Sequence, residues 1–199
     1  MESSIFFNDL TVIDFSLITK DGLIVGGSAT LNLELSGPVD SHEGVVVDFS
    51  AGKKQIKALI DGIGGFDHKC WVNVDEPNII IEQNVETDTV KVAHRLSGLT
   101  IEGETDMFSW IHGDRPEDEI TKFLNDRLSP YVVSNVFLNT SVIPVPTTDT
   151  TSHIFRYVHG LKYSTSYGCK NLVHGHKSYI SAKLAPNADK GLARSEERR

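Results

Sequence analysis

His159-Gly-Leu-Lys-Tyr-Ser-Thr-Ser-Tyr-Gly-Cys169-Lys-Asn-Leu-Val-His174-Gly-His176-Lys-Ser-Tyr179 carries three of the chain's eight histidines and one of its two cysteines. His174 and His176 flank a glycine at i, i+2. Side chains alternate faces along a strand, so both imidazoles project from the same face if this segment is extended. Lys177 to Leu184 is β-rich, with Tyr179 and Ile180, which predicts a strand there. His159 ends a second strand-like run, Ile154-Phe-Arg-Tyr-Val-His159. A hairpin of the two strands brings His159 opposite the pair. Three imidazoles and a water are the ligand set of a catalytic zinc, which polarises a carbonyl or lowers the pKa of a bound water. Cys169 then lies in a Ser/Gly-rich loop beside a cation, where its own pKa falls. A lone His-x-His is weak evidence, because chance surface pairs are common. A lone cysteine is more often a small buried residue than a nucleophile. The third histidine and the loop cysteine together make the metal reading the one to test.

Working outward, 199 residues can bury one good core, and one domain is the default. A hydrophobic content of 39% with 23% charged residues reads as a soluble globular chain. The net charge of −8 argues against a dedicated nucleic-acid surface. No apolar run reaches the length of a membrane span. Met1-Glu-Ser-Ser lacks the basic region and apolar core of a signal peptide. Cys70 and Cys169 make no disulfide framework, so a reducing cytoplasm is the expected location.

Residues 5–18 alternate apolar and polar in part, Asp21-Gly22 marks a turn, and Ala29 to Leu35 alternates cleanly. Residues 1–36 therefore read as a hairpin, broken at Gly37-Pro38. Phe49, Ile56, Leu59 and Ile60 recur at helical spacing behind a cap at Asp48 or Ser50, and Gly62 to Gly65 ends that helix. Three β-like runs, Ile79 to Glu82, Thr89 to His94 and Leu99 to Glu102, predict an inserted hairpin or small meander within 78–112. Asp114 to Glu119 opens a second helix, with proline and clustered acids in its first turn and a stripe of Ile120, Phe123, Leu124 and Leu128. Val132 to Val145 is strand-like up to Pro144, Pro146 to Ser152 reads as a loop, and the hairpin at 154–184 follows. Residues 185–199 are charged and read as a frayed tail. The order predicts an α+β fold: an antiparallel sheet with two helices on one face, in one domain over 1–184.

This order, with these residues, resembles the 6-pyruvoyl-tetrahydropterin synthase and 6-carboxy-tetrahydropterin synthase family, the tunnelling fold. The resemblance covers about residues 5–72 and 114–160, plus the hairpin at 154–184. Gly37-Pro-Val-Asp-Ser-His-Glu-Gly44-Val-Val-Val-Asp48-Phe49 looks like the family's segment between its second strand and first helix. Phe66-Asp67-His68-Lys69 looks like its Leu-Asp-His-Lys motif. Arg115-Pro-Glu-Asp-Glu119 sits where the family has Pro-Thr-x-Glu-Asn. Cys169 followed by His174-Gly-His176 looks like its cysteine and its His-Gly-His zinc motif. The chain departs from the family in two ways. The family carries its zinc histidines in the N-terminal hairpin. Here Ser16 stands where the first histidine would be and Val25-Gly26-Gly27-Ser28 where the family has His-Gly-His-Ser, so the lost histidines fall at 16, 25 and 27. The metal motif instead lies in a C-terminal hairpin, as though by partial duplication, and that hairpin is placed to extend the same sheet. The family's Glu-Thr, which anchors the pterin ring, falls at Asn139-Thr140, and asparagine lacks the carboxylate's charge. Glu104-Thr105 and Glu86-Thr87 in the insert are the candidate substitutes for that anchor.

The resemblance implies a zinc-dependent, pterin-forming lyase acting on 7,8-dihydroneopterin triphosphate or a close relative. His159, His174 and His176 would hold Zn2+, Cys169 would be the base, and Asp67 with His68 would form a proton relay. The substrate would be a small pterin or purine-derived molecule, with Asn139 and Thr140 at the binding position. The chain would form a ring-like homo-oligomer, with neither nucleic acid nor membrane as partner. Two alternatives stay open: a binding or assembly module that keeps a structural zinc without pterin chemistry, and a related cyclohydrolase-type enzyme. The remaining histidines, His42, His94, His112 and His153, read as surface residues, and Cys70 as structural.

Overall fold

A computed structural model describes residues 2–140, 151–159 and 174–182. The long strands β1 (Glu2–Ile18) and β2 (Ile24–Pro38) pair antiparallel as the N-terminal hairpin. Three further strands complete a five-stranded sheet, β3 (Lys69–Asn73), β7 (Phe108–Ile111) and β8 (Val132–Asn139), in the order β7-β3-β1-β2-β8. The expected antiparallel pairing holds for β1, β2 and β8, whereas β3 and β7 run parallel to β1, so the sheet is mixed. A strand reached through a helix or an inserted unit starts again from the same end of the sheet and so lies parallel to its neighbour. Such strands are covered on both faces and lose their alternation. Cys70-Trp71-Val72 is buried throughout, and no period-two pattern marks it as a strand in the sequence.

Residue parity along β1 and β2 assigns the two faces. Ile13, Leu31, Leu33 and Leu35 share a core with Ile56 and Ile60 of α1 (Phe49–Asp61) and with Ile120 and Leu124 of α2 (Pro116–Asn125). Both helices therefore cover one face. The Asp48 carboxylate caps α1 by accepting from the Ala51 N–H at 2.7 Å. Pro116 opens α2, with Glu117, Asp118 and Glu119 in its first turn. Phe49, expected on the buried stripe, is about half exposed and stacks on Phe7 with ring centres 5.0 Å apart.

The opposite face carries two small sheets. Strands β4 (Ile79–Asn84), β5 (Thr89–His94) and β6 (Thr100–Glu104) form the predicted meander. Its Val90, Val92 and Ile101 pack with Ile18, Cys70, Val72 and Phe108 in a second core. His94, expected at the surface, is 1% exposed. Its Nδ1 accepts from the Ser97 N–H, so its Nε2 carries the proton and donates to the Lys20 carbonyl at 3.0 Å. The histidine thereby clasps the β1–β2 turn. Gly22, at φ +72°, lies against that ring, and any side chain there would overlap it.

Strands β9 (Thr151–His159) and β10 (His174–Ala182) pair antiparallel as a separate two-stranded sheet. They do not extend the main sheet as expected. They lie across β1 and β2, on the face away from the helices. Gly26 makes this layering possible: a side chain at that position would overlap the backbone of Tyr157 and His176, and one at Gly175 would overlap Gly26. The two glycines let the layers meet backbone to backbone. Strand β9 begins at Thr151, inside the segment expected to be a loop.

The register of the N-terminal hairpin corrects its comparison with a metal hairpin. Ser16 pairs with Gly26, whereas Val25 pairs with Leu17 and Gly27 with Phe15. Val25 and Gly27 thus face the helices, and Ser16, Gly26 and Ser28 face β9 and β10. Imidazoles at positions 16, 25 and 27 would point to opposite faces and could not converge on one ion.

Candidate metal centre

His159 and His174 are cross-strand partners, and His176 pairs with Tyr157. All four side chains therefore share one face of the hairpin. The ligating nitrogens of His159, His174 and His176 lie within 4.8 Å of one another. His174 is fully buried and the other two are partly buried. The Nε2 atoms of His159 and His176 approach to 3.0 Å. Nitrogens around a tetrahedral zinc, at Zn–N about 2.0–2.1 Å, sit about 3.4 Å apart. The Tyr157 ring stacks on both His159 and His176, with centres 5.5 and 5.0 Å away.

Two features of the surroundings prepare these rings for a cation. The Asp14 carboxylate lies 3.0 Å from His176 Nδ1. A carboxylate there holds the proton on Nδ1 and leaves the Nε2 lone pair facing His159. Desolvation, followed by the nearby His176 and His68, holds the pKa of His159 below the usual imidazole value. It is thus kept in the neutral form that ligates metals. The donor set fits a divalent metal ion.

Asp67 and His68 stand beside this cluster in the same chain. His68 Nδ1 is 2.7 Å from Asp67 Oδ2. That hydrogen bond raises the pKa of His68 against the opposing effect of partial burial, and the charges of Asp67, Asp14 and Asp61 add to the rise. The His68 ring centre is 5.1 Å from that of His174 and 6.0 Å from that of His176. His68 adopts φ +55°, a left-handed conformation uncommon outside glycine. Its backbone N–H donates to the Asp14 carbonyl at 2.7 Å, which fixes the turn into β3.

The structure brings together His159, His174, His176, Asp67 and His68. Cys169 lies outside the described residues. Asn139 ends β8 opposite Thr30, and the Thr140 carbonyl accepts from Lys177 Nζ at 2.8 Å, one residue beyond His176. Glu86 lies in the β4–β5 turn and Glu104 ends β6, both on the inserted sheet. His42 and His112 are exposed as expected, and His112 pairs with Asp75. The side chain of His153 is outside the described residues. A cleft of about 500 Å³, lined by Phe66, Phe108, Trp110, Phe123 and Arg127 among others, lies between α2 and the insert, and none of the cluster histidines lines it.

The sequence reading missed Asp14 and Ser28. The available signal was a charged residue between Ile13 and Phe15 in a strand otherwise read as half-buried.

Cys70 is buried, and desolvation pushes its pKa up to about 11 against a small lowering by the Ser16 hydroxyl. At pH 8 about one Cys70 in a thousand is then thiolate, the reactive form. In a Cys169→Ser variant, a disulfide reagent should therefore leave native protein unmodified at pH 8. It should titrate one thiol after denaturation. Rapid native modification would contradict this burial.

No protein-family model matches the chain, and no curated protein matches it. Among solved structures the chain is similar to 6-pyruvoyltetrahydropterin synthase from Plasmodium vivax, at 15% identity and a TM-score of 0.44. Two catalytic-residue mutants of that enzyme give 15% and 16% identity, each with a TM-score of 0.47. In all three cases the match covers 63% of this chain and 79% of the other. At these identities no residue role passes from those enzymes to this chain.

Proposed function

We propose that this protein is a zinc-dependent lyase of the tetrahydropterin synthase kind, acting on 7,8-dihydroneopterin triphosphate or a close relative. The observation that carries the reading is the convergence of His159, His174 and His176 beside the Asp67–His68 pair. Zinc bound by these imidazoles would polarise the oxygens of the substrate side chain and make the adjacent carbon–hydrogen bonds acidic. The protein's own residues do the rest. Asp14 orients His176. Asp67 favours the charged form of His68, which can give up a proton to, or take one from, a group beside the triad. Cys169 is the proposed base, and Asn139 with Thr140 the proposed substrate contact.

One observation favours a second reading, a binding or assembly module with a structural metal. The residue at the ring-anchoring position is Asn139, which carries no charge. Elemental analysis together with an assay on 7,8-dihydroneopterin triphosphate separates the two. Zinc with release of triphosphate supports the lyase. Stoichiometric zinc with no turnover of this or a related purine-derived substrate supports the module.

The reading places the protein in the cytoplasm as a homo-oligomer. The edge strand β8 exposes Val132 at 56% and Phe137 at 61%, and Phe6 of β1 is 62% exposed. An open apolar edge is an aggregation hazard unless another strand covers it. Light scattering should give a multiple of 22.0 kDa, and a stable monomer at micromolar concentration would overturn the assembly.

A further inference from the structure

We propose that Asp14 is the positioning residue of the metal centre, an N-terminal carboxylate that holds the C-terminal hairpin's His176 in its ligating tautomer. The inference rests on the metal reading above and assigns a residue that lies about 160 positions from its target in sequence.

Both carboxylate oxygens of Asp14 are engaged. Oδ2 pairs with His176 Nδ1 at 3.0 Å, and Oδ1 accepts from the Ser28 hydroxyl. Ser28 Oγ in turn accepts from the Lys177 N–H at 2.9 Å. Asp14 and Ser28 are themselves cross-strand partners. The pair thus grips two consecutive residues of β10, the side chain of His176 and the backbone of Lys177. This fixes both the height of the hairpin over β1–β2 and the rotation of the imidazole.

The backbone of the same residue holds the relay pair. The Asp14 N–H donates to Asp67 Oδ1 at 2.8 Å, and the Asp14 carbonyl accepts from the His68 N–H at 2.7 Å. Asp67 Oδ2 is left for His68 Nδ1. One residue of β1 therefore sets the spacing between the triad and the Asp67–His68 pair. Asp14 and His176 are both largely buried, with side chains 23% and 19% exposed. In such surroundings a charge-assisted hydrogen bond is strong and resists competition from water. Outer-shell carboxylates of this kind are typically worth a 10–100-fold change in metal affinity.

Zinc affinity is measured on the full-length protein by competition with a chromogenic chelator, alongside the visible spectrum of the cobalt(II) form. Asp14→Asn should weaken zinc binding roughly 10–100-fold and shift the cobalt band, with the circular dichroism of the apo protein unchanged. Ser28→Ala should move affinity the same way by less, and it guards against a failure of Asp14→Asn to fold. The double variant Asp14→Asn/His176→Ala decides the route, with zinc and cobalt titrated into the apo proteins because a two-imidazole site does not keep its metal through purification. If Asp14 acts through His176, the double binds zinc as His176→Ala does. If its role is only to hold the fold, the two losses add. Additive losses, or unchanged affinity and spectrum in Asp14→Asn and Ser28→Ala, overturn the assignment while leaving the metal centre standing. A wild-type protein that binds neither zinc nor cobalt overturns both.

Discussion

Replacing His174 with alanine should take the purified protein from roughly one zinc per chain to background. A three-imidazole site loses a third of its protein ligands, and two imidazoles do not retain zinc through purification. The position is decisive for geometric reasons. His174 is 0% exposed, stands opposite His159 in the hairpin register, and has its ring centre 4.2 Å from that of His159. No rearrangement of exposed side chains can replace a nitrogen at the bottom of the cluster. The matched control is His112→Ala, a histidine 62% exposed and paired with Asp75, which should leave zinc content unchanged. Retention of a full equivalent by His174→Ala would mean that the ligands lie elsewhere in the chain. Circular dichroism of the apo variant separates loss of a ligand from loss of the fold, because the main core belongs to β1, β2 and the two helices.

Much of this arrangement is legible along the chain, and the failures have physical causes. The alternation of Ala29 to Leu35 predicts β2, and the spacing of His174 and His176 predicts a shared face, because both rest on the period of a strand. His159 falls opposite His174 because the two strands form a hairpin. Strand β3 escapes notice because Cys70, Trp71 and Val72 are covered on both sides and carry no alternation. The layering of β9–β10 over β1–β2 escapes because it depends on Gly26 and Gly175, whose packing role is not encoded in any local pattern. His94 reads as a surface residue because its two hydrogen bonds go to groups at sequence separations of 74 and 3 residues. The comparison of the two hairpins needs the register itself. His159 faces His174 at the start of His-Gly-His, and Ser16 faces Gly26 at the start of Gly-Gly-Ser. The equivalent positions are therefore 16, 26 and 28, the last two each one residue away from the 25 and 27 that sequence comparison suggests. At position 28 this chain carries Ser28, whose cross-strand partner is Asp14. Asp14 pairs with the His176 imidazole and Ser28 with the Lys177 backbone of the other hairpin.

His68→Gln should leave zinc in place and lower turnover of 7,8-dihydroneopterin triphosphate by roughly 10²–10⁴-fold, the usual worth of a positioned acid or base. The expectation separates His68 from the ligands by geometry. His68 Nδ1 is committed to Asp67 at 2.7 Å, and the ligand cluster comprises only His159, His174 and His176 among the described residues. Yet its ring centre lies 5.1 Å from His174, close enough to serve a substrate held at the triad. Glutamine keeps a polar group of similar reach but cannot carry a proton reversibly. Asp67→Asn should act in the same direction by less, because it removes the partner that favours the charged imidazole and leaves the imidazole itself. Both variants should fall in kcat more than they rise in KM, since a proton-transfer group stabilises the transition state rather than the bound ground state. Zinc content and kinetics must be read on the same preparations. Loss of zinc in His68→Gln would make His68 part of the metal site. Full zinc with unaltered kcat would leave the Asp67–His68 pair as a structural turn into β3, anchored by the His68 N–H bond to Asp14.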